Sequence, residues 1–281
     1  MIDSTTLFQI GENHGITLGR ATTVGGGCIN RSFRCGDYFL KFNRPAFLPQ
    51  FEAEAAALEA MAATKTVRVP GVIGQGLAGG QAYLVLEYLP LQSLSASSQE
   101  RLGRDLAALH GHTHPKPGFA IDNAIGATPQ PNTPCVSWLE FWRERRLGHM
   151  FRLAEAQGRR FAGAGELLAR LDGLLPEDPE HSLLHGDLWA GNAAGLPDGT
   201  PVIFDPATYH GHDETDLAMT RLFGGFSTAF YEAYHEVRPP EPGFQQRVAL
   251  YQLYHVLNHF VLFGGGYGGQ AESLIDDLLK A

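Results

Sequence analysis

The chain has 281 residues, 44% of them hydrophobic, which is apolar content enough for a sizeable core and for two lobes. Its formal net charge of -9 argues against a nucleic-acid-binding surface and against an anionic membrane partner, since both call for a basic face. Three cysteines, Cys28, Cys35 and Cys135, form neither a disulfide framework nor a metal spacing, and no basic leader or membrane-length apolar run is evident. A cytoplasmic, reducing setting is therefore expected.

Residues 24–30 read VGGGCIN. Gly25, Gly26 and Gly27 permit positive φ and close backbone approach to a ligand, and Asn30 closes the loop. SFRC and YFLKF follow on either side of Gly36-Asp37, a tight-turn signal between two β-prone runs. Lys41 falls near the end of the second strand, within reach of a nucleotide phosphate. A helix then opens at Pro49, with Phe51, Ala55, Leu58 and Ala62 on one face. Glu54 lies on the flank of that stripe and is a better partner for Lys41 than Glu52 or Glu59; a Lys–Glu pair of this kind positions the lysine on phosphates in kinases. The plainer reading makes all three surface glutamates. Strands are expected at 67–73 and 82–89. The second ends in Glu87, Tyr88 and Leu89 before Pro90, a candidate hinge whose backbone would meet an adenine edge.

From about residue 90 the pattern turns helical. Ser97-Ser98 opens a helix burying Leu102, Leu106 and Leu109, and His110, His112 and His114 read as its solvated end rather than a metal site. Ser137-Trp-Leu-Glu140 is a capping box ahead of a long helix whose Trp138, Phe141 and Trp142 pack inward. Arg143, Arg145 and Arg146 read as a solvated face.

The chemistry concentrates in HGDLWAGN, residues 185–192, and VIFDP, residues 202–206. A hairpin-like unit is expected here, with 183–184 and 202–204 as its apolar runs and Pro197-Asp198-Gly199 as its turn. Asp187, Asn192 and Asp205 then sit at the mouth of one cleft. An Asp can orient an acceptor hydroxyl and take its proton, while an Asn and a second Asp can hold magnesium on a nucleotide. Asp and Asn are five positions apart in the protein-kinase catalytic loop too. Capping of turns is the plainer reading of such a pair; the preceding His-Gly, the strand-terminal Asp205 and the upstream glycine loop and lysine favour phosphoryl transfer. Asp216 opens the next helix, where it either holds the catalytic loop through hydrogen bonds or merely complements the dipole. Helices are expected at 227–237, 244–263 and 272–279, with FGGGYGGQ as a flexible turn. His255 and His259 share a helix face but lack the glutamate of a zinc motif.

These segments resemble the fructosamine kinase (ketosamine-3-kinase) family. The resemblance is carried by GGGCIN (25–30), FLKF (39–42), FEAEAAAL (51–58), LEYL (86–89), HGDLWAGN (185–192), FDPATYHGH (204–212), DLAMTRLFGGF (216–226), YQLYHVLNHF (251–260) and FGGGYGGQAES (263–273). It implies an α+β, bilobal protein-kinase-like fold, with a small antiparallel-sheet lobe over 1–89 and a mostly helical catalytic lobe over 90–281. It implies ATP- and magnesium-dependent phosphorylation of the sugar 3-hydroxyl of a ketosamine or glycated protein, giving an adduct that decomposes and so repairs glycation. By position Asp187 is the base, Asn192 and Asp205 bind metal, Lys41 and Glu54 form the phosphate pair, and Glu87 and Leu89 the hinge. Trp189 is placed to stack on the sugar or its amine, with His259 beside it. The family's usual GHRE reads GHDE here, so Asp213 bears on loop shape and substrate charge. Cys28 in the glycine loop makes the expected assembly a monomer or a redox-linked dimer. The competing readings are an aminoglycoside- or choline-type phosphotransferase and a non-catalytic nucleotide-binding pseudokinase.

Overall fold

A computed structural model of the chain describes residues 2–25 and 29–280; Gly26, Gly27 and Cys28, to which nucleotide-loop and redox roles were assigned above, lie outside them. The chain opens with α1 (Ser4–His14), capped by Asp3 at its N-terminus. Then come β1 (Thr22–Val24), β2 (Arg31–Cys35) and β3 (Tyr38–Asn43), followed by α2 (Leu48–Thr64), β4 (Val72–Ala78) and β5 (Gln81–Glu87). The five strands form one antiparallel sheet in the order β1-β2-β3-β5-β4. The Gly36-Asp37 turn joins β2 and β3 as its sequence signal requires, and Lys41 pairs across β3–β5 with Leu84.

The strand expected at 67–73 instead occupies 72–78. Its glycines hid it. Gly74 lies against the ring of His14, and a Cβ there would come within 2.1 Å of the imidazole. The strand is thus fitted to α1, a helix whose weak apolar stripe gave no early signal. A small core of Leu7, Ile10, Phe33, Leu40, Phe42 and Val85 fills that side of the sheet.

The remaining chain is mostly helical. It runs through α3 (Ala96–His110), a hairpin of β6 (Asn123–Ile125) and β7 (Thr128–Gln130), α4 (Trp138–Phe141), α5 (Gly148–Ala156) and α6 (Ala164–Ala169). Ser95, two residues before the expected start, caps α3. Ser137 caps α4 through the Glu140 amide. Between α4 and α5 lies a π-helical turn, Trp142–Leu147. It swings Arg146 inward, so that Arg146 is fully buried rather than solvated. Its guanidinium lies 4.0 Å from the Tyr209 ring centroid and donates to the Asn132 side chain, a cation–π contact in a dry setting.

The last part holds β8 (Ser182–Leu183), β9 (Ala193–Gly195), β10 (Pro201–Ile203), β11 (His210–Gly211), α7 (Glu214–Leu222), α8 (Thr228–Val237), α9 (Phe244–Phe263) and α10 (Tyr267–Lys280). The predicted hairpin is shorter than expected. β9 pairs with β10, while β8 pairs with β11, so Leu183 faces His210 and Asp187 lies in the link between two small sheets. The glycines of YGGQ belong to α10, because Gly268 packs under the Phe260 ring. One large core, with Trp138, Phe141, Trp142, Tyr251 and Tyr254 at its centre, continues up to Phe51, Leu58 and Leu84 beneath the main sheet. No helix among the described residues is long and apolar enough to cross a membrane.

Candidate active site

The segment 184–187 is held on three sides. Leu184 and His185 exchange backbone hydrogen bonds with Tyr209 and Ala207. Gly186 has φ +83°, and its α-carbon rests on the Ala207 carbonyl, where an added Cβ would fall 2.1 Å from the oxygen. Asp216, in the first turn of α7, accepts the amides of His185 at 2.7 Å and Gly186 at 2.8 Å. Of its two expected roles the structure selects the first. His110 at the end of α3 meets the same carboxylate at 3.2 Å and the Tyr234 hydroxyl at 2.7 Å; it is fully buried, not a solvated helix end. Burial pushes the Asp216 carboxyl up, but the His110 hydrogen bond and charge outweigh it and hold it below the usual range. His185 accepts the Asp187 amide at Nδ1, which leaves Nε2 to donate to the Phe204 carbonyl at 3.0 Å. Burial lowers the pKa of this imidazole, against the Asp216 charge and the Phe204 hydrogen bond.

That frame brings Asp187, Asn192 and Asp205 together. Asn192 Nδ2 donates to the Asp187 carbonyl at 2.8 Å and approaches the Asp187 carboxylate at 3.4 Å and the Asp205 carbonyl at 3.5 Å. Burial, then the charge of Asp205, raise the Asp187 carboxyl well above its ordinary range. Asp205 follows β10 with φ +57°, a left-handed turn in a non-glycine residue, a conformation whose strain concentrates at functional sites. The turn aims its carboxylate at Lys41 Nζ, 2.5 Å away, while Glu54 of α2 contacts the same ammonium at 2.6 Å. Burial would lower the Lys41 pKa, but Asp205 and Glu54 raise it well above the ordinary value, so the lysine is a fixed cation. Glu54 is pushed up by burial and by the Asp205 charge, against Lys41.

A cavity of about 400 Å³ opens beside this chain of charges. Its walls include Gly25, Asn30, Lys41, Glu87, Leu91 and Asp205. Glu87 contributes backbone more than carboxylate, since its side chain is tied to Arg68 Nη2 at 2.5 Å and to the Gly71 amide at 3.1 Å. Its amide and that of Tyr88 are engaged by Gly71 and Asp37. Tyr88 turns away from the cavity, its ring 3.9 Å from the Arg34 guanidinium carbon. The Leu89 amide donates to no acceptor among the described residues. Of the three hinge candidates, therefore, Leu89 has its amide without an acceptor among the described residues, while those of Glu87 and Tyr88 already donate to the Gly71 and Asp37 carbonyls. Leu91, missed in the sequence, is part of the wall.

Trp189 stands two residues after Asp187 with its indole part exposed. Its ring meets Phe223, and Phe223 meets His259 of α9, so the two predicted substrate residues share one surface through a residue that sequence reasoning passed over. Asp213 lies elsewhere. Its carboxylate is held by Arg238 at 2.6 Å and by the Tyr234 hydroxyl at 3.0 Å, and it connects to the catalytic loop through Asp216, both by way of Tyr234 and His110 and through its own carbonyl, which accepts the Asp216 amide at 3.2 Å.

The residues present fit a magnesium nucleotide. Asn192 uses its amide nitrogen on Asp187, leaving the carbonyl oxygen free to ligate. Asp205 keeps one carboxylate oxygen clear of Lys41 and is about half exposed. Hard oxygen donors of this kind suit Mg²⁺, with phosphates and water completing its shell. Among the described residues no cluster of three or more His, Cys, Asp or Glu is arranged for a metal by protein ligands alone.

Comparison with known proteins agrees with this geometry. A probable ketoamine kinase of Synechocystis is 48% identical over 264 residues, 92% of this chain and 90% of the relative. The chloroplastic protein-ribulosamine 3-kinase of Arabidopsis thaliana is 43% identical, over 94% of this chain and 86% of its own. A solved structure from Thermobifida fusca, provisionally named fructosamine-3-kinase, superposes with a TM-score of 0.89 at 29% identity and covers both chains fully. A choline/ethanolamine kinase family protein from Mesorhizobium loti shares the fold alone, with a TM-score of 0.59 at 17% identity over 94% of this chain and 89% of its own. The α+β, protein-kinase-like architecture is thus common to this chain and the two solved structures. With the fructosamine kinase family model matching residues 4–281, the chain belongs to the fructosamine kinase family.

Proposed function

We propose that this protein is an ATP-dependent ketosamine 3-kinase. The observation that supports it most is the unbroken polar chain Glu54–Lys41–Asp205–Asn192–Asp187, whose Lys41 and Asp205 line the cavity. ATP lies with its base between the sheet and Leu91 and its phosphates toward Lys41. The Leu89 amide faces the adenine edge, and the nucleotide lobe passes to the catalytic lobe at residues 89–90. Asn192 and Asp205 would hold Mg²⁺, which when bound would supply positive charge to the phosphates. Asp187 orients the acceptor hydroxyl and accepts its proton; a carboxylate of raised pKa is the stronger base for that task. Trp189 and His259 border the acceptor, a small ketosamine or a glycated protein. Relatives named ketoamine kinase and protein-ribulosamine 3-kinase support this acceptor class.

The test is ADP release with ribulosyl-, erythrulosyl- and fructosyl-lysine, set beside an aminoglycoside and choline, in ATP and magnesium. Turnover is expected with the ketosamines and a loss of at least about 100-fold in Asp187→Asn. Turnover confined to the aminoglycoside or choline would reject the acceptor class. ATP binding without turnover of any acceptor would make the chain a nucleotide-binding module.

A further inference from the structure

Five rings run in contact away from the catalytic loop. Trp189 meets Phe223 with centroids 6.3 Å apart, and Phe223 meets His259 at 4.9 Å. His259 in turn meets Phe263 at 5.8 Å and Tyr267 at 5.1 Å. They come from four separate parts of the fold: the catalytic loop, the end of α7, α9 and the start of α10. Packing of α9 on α10 accounts for Tyr267 touching His259. It does not account for the open faces of the others. Trp189 is 41% exposed, Phe223 44% and Phe263 66%, and large apolar rings exposed in a connected row mark an interaction surface. His259 is fixed within the row by the His255 carbonyl, which takes its Nδ1 hydrogen at 2.8 Å.

We propose that the rings beyond Trp189, with Phe223 at the inner end and Phe263 at the outer end, are the wall along which the amine-bearing arm of the acceptor lies. The inference rests on the ketosamine reading above and assigns residues to it. A ketosamine carries a protonated secondary amine one carbon from the sugar carbonyl. With the sugar hydroxyl at Asp187, that ammonium falls over the inner rings, Trp189 and Phe223, and aromatic faces attract such a cation. The row then continues past the length of a sugar to Phe263, which is open to solvent. A four-carbon methylene stem gains apolar contact along it, and the main chain bearing the lysine remains outside. Small amines without a stem would use only the inner rings.

The test compares two ribulosamines that share sugar and ammonium, Nα-acetyl-ribulosyl-lysine and ribulosyl-methylamine, on wild type, Phe263→Ala and Phe223→Leu. Phe263→Ala should raise KM for the lysyl substrate at least about fivefold, with kcat and the KM for the methylamine adduct within about twofold. Phe223→Leu, which keeps apolar bulk but loses the π face, should raise KM for both. Thermal midpoints should stay near wild type, since both rings are substantially exposed. If Phe263→Ala shifts KM for both substrates equally, or for neither, while wild type phosphorylates both, the wall is wrong and the ketosamine reading stands. If wild type phosphorylates neither, the ketosamine reading fails and the wall with it.

Discussion

Asp216 is the residue whose loss should reveal most about how the site is held. Its side chain is 1% exposed and accepts two backbone amides of the catalytic loop, together with a contact to His110. In Asp216→Asn the volume is kept, but one oxygen becomes an NH₂ group facing an N–H donor. At least one charge-assisted bond is lost and one buried amide is left unpaired, a cost of about 3 kcal/mol, against a total stability of about 5–15 kcal/mol. Because the loop can relieve the clash only by moving Asp187, kcat should fall about 100-fold with the KM for ATP little changed. Urea unfolding should show a lower midpoint at constant slope. The sign with pH follows from the lowered carboxyl pKa. The wild-type advantage over the variant is complete at neutral pH and lost as pH falls through the ordinary carboxylate range to the folded value. An unfolding midpoint equal to wild type, with kcat within twofold, would show that the loop is held by something other than Asp216.

Lys41→Met removes the only cation within reach of Glu54 and Asp205 among the described residues. It should raise the KM for ATP more than tenfold in steady-state assays and lower stability by about 3 kcal/mol through the carboxylates left unpaired. Gly186→Ala should cut kcat at least tenfold and lower the thermal midpoint, because the new Cβ meets the Ala207 backbone at a left-handed φ; circular dichroism melts and kinetics check both. ATP with magnesium should raise the thermal midpoint, by about 2.7 kcal/mol of stabilisation at a hundredfold excess over Kd, whereas ATP with EDTA should do so far less.

Local signals survived into the structure where the forces are local. The Gly36-Asp37 turn set the β2–β3 register and therefore which strand carries Lys41. The helical stripe of α2 put Glu54 on the flank nearest that lysine. The spacing of Asp187, Asn192 and Asp205 was legible because their chemistry tolerates few alternatives. What stayed hidden depends on distant partners. β4 reads as a glycine-rich connection until α1 supplies the His14 ring that its glycines accommodate. Arg146 reads as solvated until Tyr209, far along the chain, and Asn132, in the loop before α4, enclose it. Phe223, Phe263 and Tyr267 belong to different helices or their ends, and no single window shows that their rings meet.

The charges explain why these distant pieces must converge. Glu54 and Asp205 crowd around a single lysine, Asp187 follows them through Asn192, and burial together with the Asp205 charge lifts both Glu54 and Asp187. Left to itself, such a cluster would repel a polyanionic triphosphate. The proposed function has it accept one together with a divalent cation, which would reverse the local sign of the potential. The fold keeps the acids from relaxing apart. Asp216 ties down the loop before Asp187, Asn192 bridges from that loop to Asp205, and the left-handed turn at Asp205 directs its carboxylate to Lys41. On the proposed reading the same geometry would favour a metal-bound nucleotide over a bare one, and it leaves Asp187 two residues from Trp189, where the proposed aromatic wall begins.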